Sequence, residues 1–138
     1  DCSSRGLGDV YKRQGAFTPT CSGQQLPTYD EMYSQFKDKG IDDVYCVSVN
    51  DAFVMNAWAR DLGIKNVKMI PDGAGIFTRQ MGMLVEKNDK GFGMRSWRYT
   101  AIINDCHIEK MFVEAGLSDN NVNDPYIETN PKNVIENI

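Results

Sequence analysis

An α/β fold is what this chain predicts, and three observations predict it. Short β-branched runs alternate with stretches of helical period, the pattern of a sheet layered with helices. Two late β-rich runs flank Asn104-Asp105-Cys106, which reads as a hairpin, and a helix-start signal at Pro131 follows. At 138 residues the chain is the size of one domain built on one hydrophobic core.

Taken in order, residues 1–14 mix Gly, Ser, Arg and Lys with neither strand alternation nor helical period. They read as a non-native leader ahead of a domain spanning 15–138, with Asp9-Val10-Tyr11 a strand stub at most. From Pro27 to Lys39, Tyr29, Met32, Tyr33 and Phe36 fall at i, i+3, i+4 and i+7, a helix stopped by Gly40. Asp43 to Val49 is β-branched and nearly continuously apolar, as a buried parallel strand would be. Asn50 or Asp51 caps a second helix with Phe53, Val54, Ala57 and Trp58 inward, ending at Gly63. Lys65 to Ile70 is a short strand, Pro71-Asp72-Gly73 a turn and Ile76 to Met83 a helix. The run from Asp72 lacks the full G-x-G-x-x-G of a phosphate loop and reads as that helix's start. After a Gly-rich loop, Trp97 to Ile103 pairs with His107 to Val113, and Ser118 to Asn130 is polar loop. This order of elements is thioredoxin-like.

Composition narrows the function. A formal net charge of −4 without a Lys/Arg cluster argues against a nucleic-acid surface. No apolar run reaches the ~20 residues of a membrane helix. The four cysteines, Cys2, Cys21, Cys46 and Cys106, include no C-x-x-C pair, and His107 has no companion ligands. Zinc binding and thioredoxin-type dithiol chemistry are therefore unsupported. With no signal-peptide pattern, the expected setting is reducing and cytoplasmic.

Chemistry concentrates in Thr18-Pro-Thr-Cys21. A thiol at a helix start meets unpaired backbone N–H groups and the positive end of the helix dipole, both of which favour thiolate. From position alone Cys21 is either a small core residue or a nucleophile, and both readings stay open. Cys46, mid-strand, reads as an inert packed thiol, and Cys106 as an exposed, incidental one. Arg98 by itself reads as an ordinary ion-pair residue.

The stretch Gly-Ala-Phe-Thr-Pro-Thr-Cys-Ser from Gly15 resembles the active-site loop of the peroxiredoxins, in particular the peroxiredoxin-5-like branch. Val47-Ser-Val-Asn-Asp-Ala-Phe-Val54 and Arg95-Ser-Trp-Arg-Tyr99 carry the resemblance on to the end of the chain. It implies a thioredoxin-like (peroxiredoxin) sandwich that lacks the family's N-terminal strands, since the leader stands in their place and Gln14 replaces a motif proline. In the resemblance Cys21 is the peroxidatic cysteine. Thr18 holds thiolate and peroxide together, and Arg98, on a predicted strand, stabilises both the thiolate and the departing oxygen. Backbone N–H groups near Thr20 and Cys21 complete the substrate site. The implied activity is reduction of hydrogen peroxide and alkyl hydroperoxides through a sulfenic acid, without metal or cofactor.

The implied reductant is glutathione, glutaredoxin or thioredoxin. Asp119 to Asn130 offers no resolving cysteine, which favours one-cysteine turnover by glutathione, with or without glutaredoxin. A homodimer is also implied. The rival readings are a thiol–disulfide oxidoreductase and a non-catalytic redox-sensing module on the same fold. A charged leader where relatives bury a strand further predicts poor stability and exposed strand edges.

Overall fold

The structure, a computed structural model, describes the backbone of Leu7–Arg13 and, in full, residues 15–138. Cys2 and Gln14 lie outside the described residues. Its strands are β1 (Leu7–Arg13), β2 (Ile41–Ser48), β3 (Lys68–Pro71), β4 (Leu84–Glu86), β5 (Met94–Ser96), β6 (Tyr99–Asn104) and β7 (His107–Val113). The helices are α1 (Leu26–Glu31), α2 (Tyr33–Asp38), α3 (Ala52–Asp61), α4 (Ile76–Gln80) and α5 (Pro131–Glu136). A five-stranded sheet of order β3-β2-β1-β6-β7 forms the frame, and β4 and β5 make a small second sheet. β1, β2 and β3 run parallel, whereas β6 is antiparallel to both β1 and β7.

The centre of this sheet is not vacant, contrary to expectation. Leu7–Arg13 occupies it, hydrogen-bonded to β2 on one side and to β6 on the other. Ladder bonds satisfy main-chain groups whatever the side chains, so a segment with no hydrophobic alternation can still be paired as a strand. The strand edges expected to be exposed there are paired.

Each face of the frame carries its own core. One gathers Leu26, Tyr29, Met32, Phe36, Val44, Cys46, Met55, Trp58, Ile102 and Val134 around Cys21. The other holds Met83, Val85, Trp97, Tyr99 and Ala101. β6 serves both, because successive side chains of a strand point to opposite faces. The predicted stripe of Tyr29, Met32, Tyr33 and Phe36 spans α1 and α2, which meet at a single turn at Met32. Tyr29 and Phe36 stack within it, ring centroids 5.6 Å apart. Gly40, at φ 90, ends it as the sequence predicts.

Three expectations need correction. Asp51, one of the two caps the sequence offers, caps α3, its side chain accepting from the Val54 N–H at 2.8 Å, but the inward face differs from the one expected. Met55 and Trp58 face inward and pack into the main core, while Phe53 stands 86% exposed. The predicted strand from Trp97 is broken at Trp97-Arg98, so Arg98 lies between β5 and β6 rather than on a strand. In the hairpin turn, Asp105 and Cys106 have φ 48 and 63, the two positive values of a type I′ turn that suit Asn-Gly better. Cys106 is exposed there but not an incidental thiol, since it is disulfide-bonded.

Candidate active site

Between β1 and α1 the chain makes one turn at Ala16-Phe17 and becomes helical at Pro19. Asn50, at the end of β2, accepts from Ala16 N–H through Oδ1 at 2.9 Å, tying this loop to the sheet. Arg95 lies against Gly15, so close that a Cβ there would stand 3.5 Å from its Nη1. Arg95 also donates to the Val49 carbonyl at 2.6 Å and the Phe92 carbonyl at 2.9 Å. The Thr18 carbonyl accepts from Ser22 N–H at 2.9 Å, the first helical bond, so the N–H groups of Thr20 and Cys21 lie in the turn ahead of it. Pro19 fills the first helical position, where its missing N–H costs nothing. The helix-mouth placement predicted for Cys21 is thus what the backbone adopts.

From Cys21 to Gln25 the helix widens into a π turn, with the Leu26 N–H reaching the Cys21 carbonyl. Such turns recur at functional sites. Here Cys21 and Gln25, four residues apart and on one face, sit together beneath one guanidinium. Arg98 donates from Nη2 to Cys21 Sγ at 3.8 Å and from Nε to Gln25 Oε1 at 3.2 Å. Its other edge meets the loop before α5: Nη1 pairs with Asp124 Oδ1 at 2.7 Å and donates to the Pro125 carbonyl at 2.6 Å. The Tyr126 ring lies 5.8 Å beneath. Arg98 is 2% exposed and Cys21 fully buried. Burial alone would lower the Arg98 pKa, but the charges of Cys21 and Asp124 and their hydrogen bonds hold it above the usual value.

The loop that grips Arg98 has its own anchor. Glu114, just past β7 and 2% exposed, accepts from the backbone N–H groups of Ile127, Glu128 and Thr129 and from the Thr129 hydroxyl, at 2.7–3.0 Å. Tyr29 closes the other side, its hydroxyl donating to the Thr129 carbonyl at 2.7 Å and meeting Thr100 Oγ1 at 2.9 Å. Replacing Glu114 by Gln puts an N–H₂ among donors in a site sealed from water. We expect a loss of roughly 2–4 kcal/mol, since charge-assisted bonds are worth about 1.5–3 kcal/mol each and the remaining donors stay buried. Urea unfolding of Glu114→Gln checks this; an unchanged midpoint would mean the cage holds nothing.

Of the residues singled out from sequence, the structure brings Cys21 and Arg98 into contact and sets Thr18 and Thr20 one turn ahead of Cys21. The Thr18 hydroxyl donates to the Gly15 carbonyl at 2.8 Å, leaving its lone pairs as what it offers a ligand. Thr20 makes no side-chain cap bond. Sequence reasoning missed Gln25, Asp124, Tyr126 and Glu114. Only Gln25 carried a signal, its position four residues beyond Cys21 and so on the same helical face. Its Nε2, buried and without a hydrogen-bond partner, stands at a cost of about 1–3 kcal/mol.

This fold and this cysteine–arginine pair define a thioredoxin-like α/β protein with a thiol site, and the comparisons supply the family. A family model described as Redoxin matches residues 13–125, and the chain belongs to the peroxiredoxins. Peroxiredoxin y4vD of Sinorhizobium fredii is 56% identical over 129 residues, which cover 94% of this chain and 69% of that one. Among solved structures, the Plasmodium falciparum antioxidant protein, a 1-Cys peroxiredoxin, superposes with a TM-score of 0.94 at 40% identity, over 96% of this chain and 78% of that one. Reduced Prx3 from Vibrio vulnificus, solved in complex with H2O2, superposes with a TM-score of 0.88 at 33% identity, over 97% and 78%. Among the described residues no helix is long and apolar enough to cross a membrane.

Proposed function

We propose that the chain is a thiol peroxidase that reduces hydrogen peroxide and alkyl hydroperoxides through Cys21. The observation that carries the proposal is the 3.8 Å contact between Arg98 Nη2 and Cys21 Sγ. A fixed cation at that range favours thiolate, the nucleophilic form, against the desolvation that burial imposes. The thiolate attacks one peroxide oxygen in line; an S–O bond forms, the O–O bond breaks, and hydroxide or alkoxide departs with the electron pair. Arg98 sits where it can also stabilise that departing charge. With its proton committed to the Gly15 carbonyl, the Thr18 oxygen is left to accept from the peroxide O–H, while the first-turn N–H groups of Thr20 and Cys21, ahead of the first helical bond, are the backbone donors offered to the incoming oxygens.

The sulfenic acid is returned to thiol by an external reductant, glutathione with or without glutaredoxin, in the cytoplasm. The similarity to the Plasmodium falciparum antioxidant protein, a 1-Cys peroxiredoxin, is in keeping with turnover through one cysteine. A homodimer accords with surface such as Phe53, 86% exposed. Peroxide turnover measured with glutathione, glutaredoxin and thioredoxin offered separately tests this reading. Turnover with glutathione is expected. Turnover with thioredoxin alone would overturn the choice of reductant, and peroxide left untouched by all three would overturn the peroxidase.

A further inference from the structure

The Gln25 amide is held in one orientation by a donor that cannot be an acceptor. A guanidinium has five N–H donors and no acceptor, so the atom receiving Arg98 Nε–H must be the amide oxygen. Its Nε2 then points elsewhere, sealed from solvent and bonded to nothing in the protein. Gln25 itself is fully buried. Buried donors left orphaned are few in native proteins, and a functional site is one of the places where they occur.

The position of this orphan is informative. Arg98 Nε and Nη2 belong to one edge of the guanidinium, and that edge is shared between Gln25 Oε1 and Cys21 Sγ. The two acceptors therefore lie side by side, joined from below by the π turn that carries both residues. The amide N–H₂ belongs to the same planar group as the oxygen that shares this guanidinium edge with the sulfur, which keeps it within a few ångströms of that edge.

We propose that Gln25 is a catalytic residue whose Nε2 donates a hydrogen bond to the oxygen that Cys21 takes from the peroxide. The inference rests on the peroxidase reading above and deepens it. In the step, the thiolate forms the S–O bond with the proximal oxygen while the O–O bond breaks. The electron pair leaves with the distal oxygen, which takes a proton from solvent to become water or an alcohol. Sulfur is oxidised by two electrons and the peroxide reduced by two. The proximal oxygen stays on sulfur, and the amide holds it there. Arg98 thereby orients Gln25 as well as the sulfur, and Gln25 is complete only when an oxygen is present.

The test uses the full chain with wild type, Gln25→Met and Gln25→Glu side by side. Met removes donor and acceptor at similar volume; Glu keeps the acceptor for Arg98 and removes the donor. For each protein, thiolate absorbance first fixes a pH at which the Cys21 sulfur is fully ionised. The second-order rate with hydrogen peroxide is then taken there, together with the melting temperature of the reduced form. About a tenfold lower rate is expected in both variants, equivalent to about 1.4 kcal/mol, with Gln25→Met melting close to wild type because it trades the orphaned Nε2 for an unpaired Arg98 Nε–H. Rates equal to wild type at full ionisation would overturn the role of Gln25 while leaving the peroxidase standing. A slow rate that simply tracks a lowered melting temperature in both variants would show a structural role and overturn it too. A wild-type protein that ignores peroxide would sink both readings.

Discussion

Cys21→Ser is expected to bring peroxide consumption down to the rate of the enzyme-free mixture. A serine hydroxyl at this position stays protonated at neutral pH and has no two-electron oxidation to offer, so neither the nucleophile nor the sulfenic acid survives. Stability should change little, because Sγ and Oγ differ modestly in size and Arg98 keeps its bonds to Gln25, Asp124 and Pro125. The control is Cys46→Ala. Cys46 is the other cysteine outside a disulfide among the described residues, fully buried on β2 amid the main core. That variant should lose some stability through the small cavity it leaves and keep its rate per folded molecule to within about twofold. Consumption of peroxide by the ferrous-oxidation or coupled-reductant assay decides the pair. Retained turnover in Cys21→Ser would move the chemistry to another sulfur.

Arg98→Met should cost about a hundred- to a thousandfold in the second-order rate with peroxide, the range seen when one preorganised donor is taken from an oxyanion site. Two losses combine. The sulfur loses the cation that favours its ionised form, and the departing oxygen loses its compensating charge. Arg98→Lys should recover only a small part. One ammonium cannot span Cys21, Gln25, Asp124 and Pro125 from two edges as the planar fork does. The loop through Asp124 to Tyr126 should loosen in both variants, visible as faster amide exchange. A rate in Arg98→Lys equal to wild type would show that charge alone matters and that the fork geometry does not.

Much of this arrangement is legible in the chain. The spacing of Tyr29, Met32, Tyr33 and Phe36 marks the helix that follows Cys21, and the β-branched run ending at Ser48 marks β2, because burial on one face or both leaves a period in the sequence. Asn130-Pro131 reads correctly as the start of α5, with the Asn130 side chain accepting from the Lys132 N–H. β1 was illegible for the opposite reason: backbone pairing on both sides holds Leu7–Arg13 in place without any pattern in its residues. Phe53 misled because a large apolar residue near a helix start reads as core, whereas the face that packs is the one carrying Met55 and Trp58.

At the site, Cys21, Thr18 and Arg98 could be named from motif resemblance, and the structure adds the contact between the first and the last. The groups that orient Arg98 could not be named. Asp124, Pro125 and Glu114 are brought to it by a loop whose path is set by tertiary hydrogen bonds, and polar loop sequence carries no period from which to read them. Gln25 stands four residues beyond Cys21, a spacing that puts both on one helical face, but nothing in the sequence marks its amide as a partner of Arg98.

The central claim is that the guanidinium of Arg98 makes the buried sulfur of Cys21 a reactive anion. Thiolate absorbance of the reduced protein, titrated against pH in a Cys46→Ala background with and without Arg98→Met, tests it most directly. The titration midpoint of Cys21 should rise by at least about one pH unit when the cation is removed, equivalent to about 1.4 kcal/mol of lost attraction. Coincident titration curves for the two proteins would contradict the account.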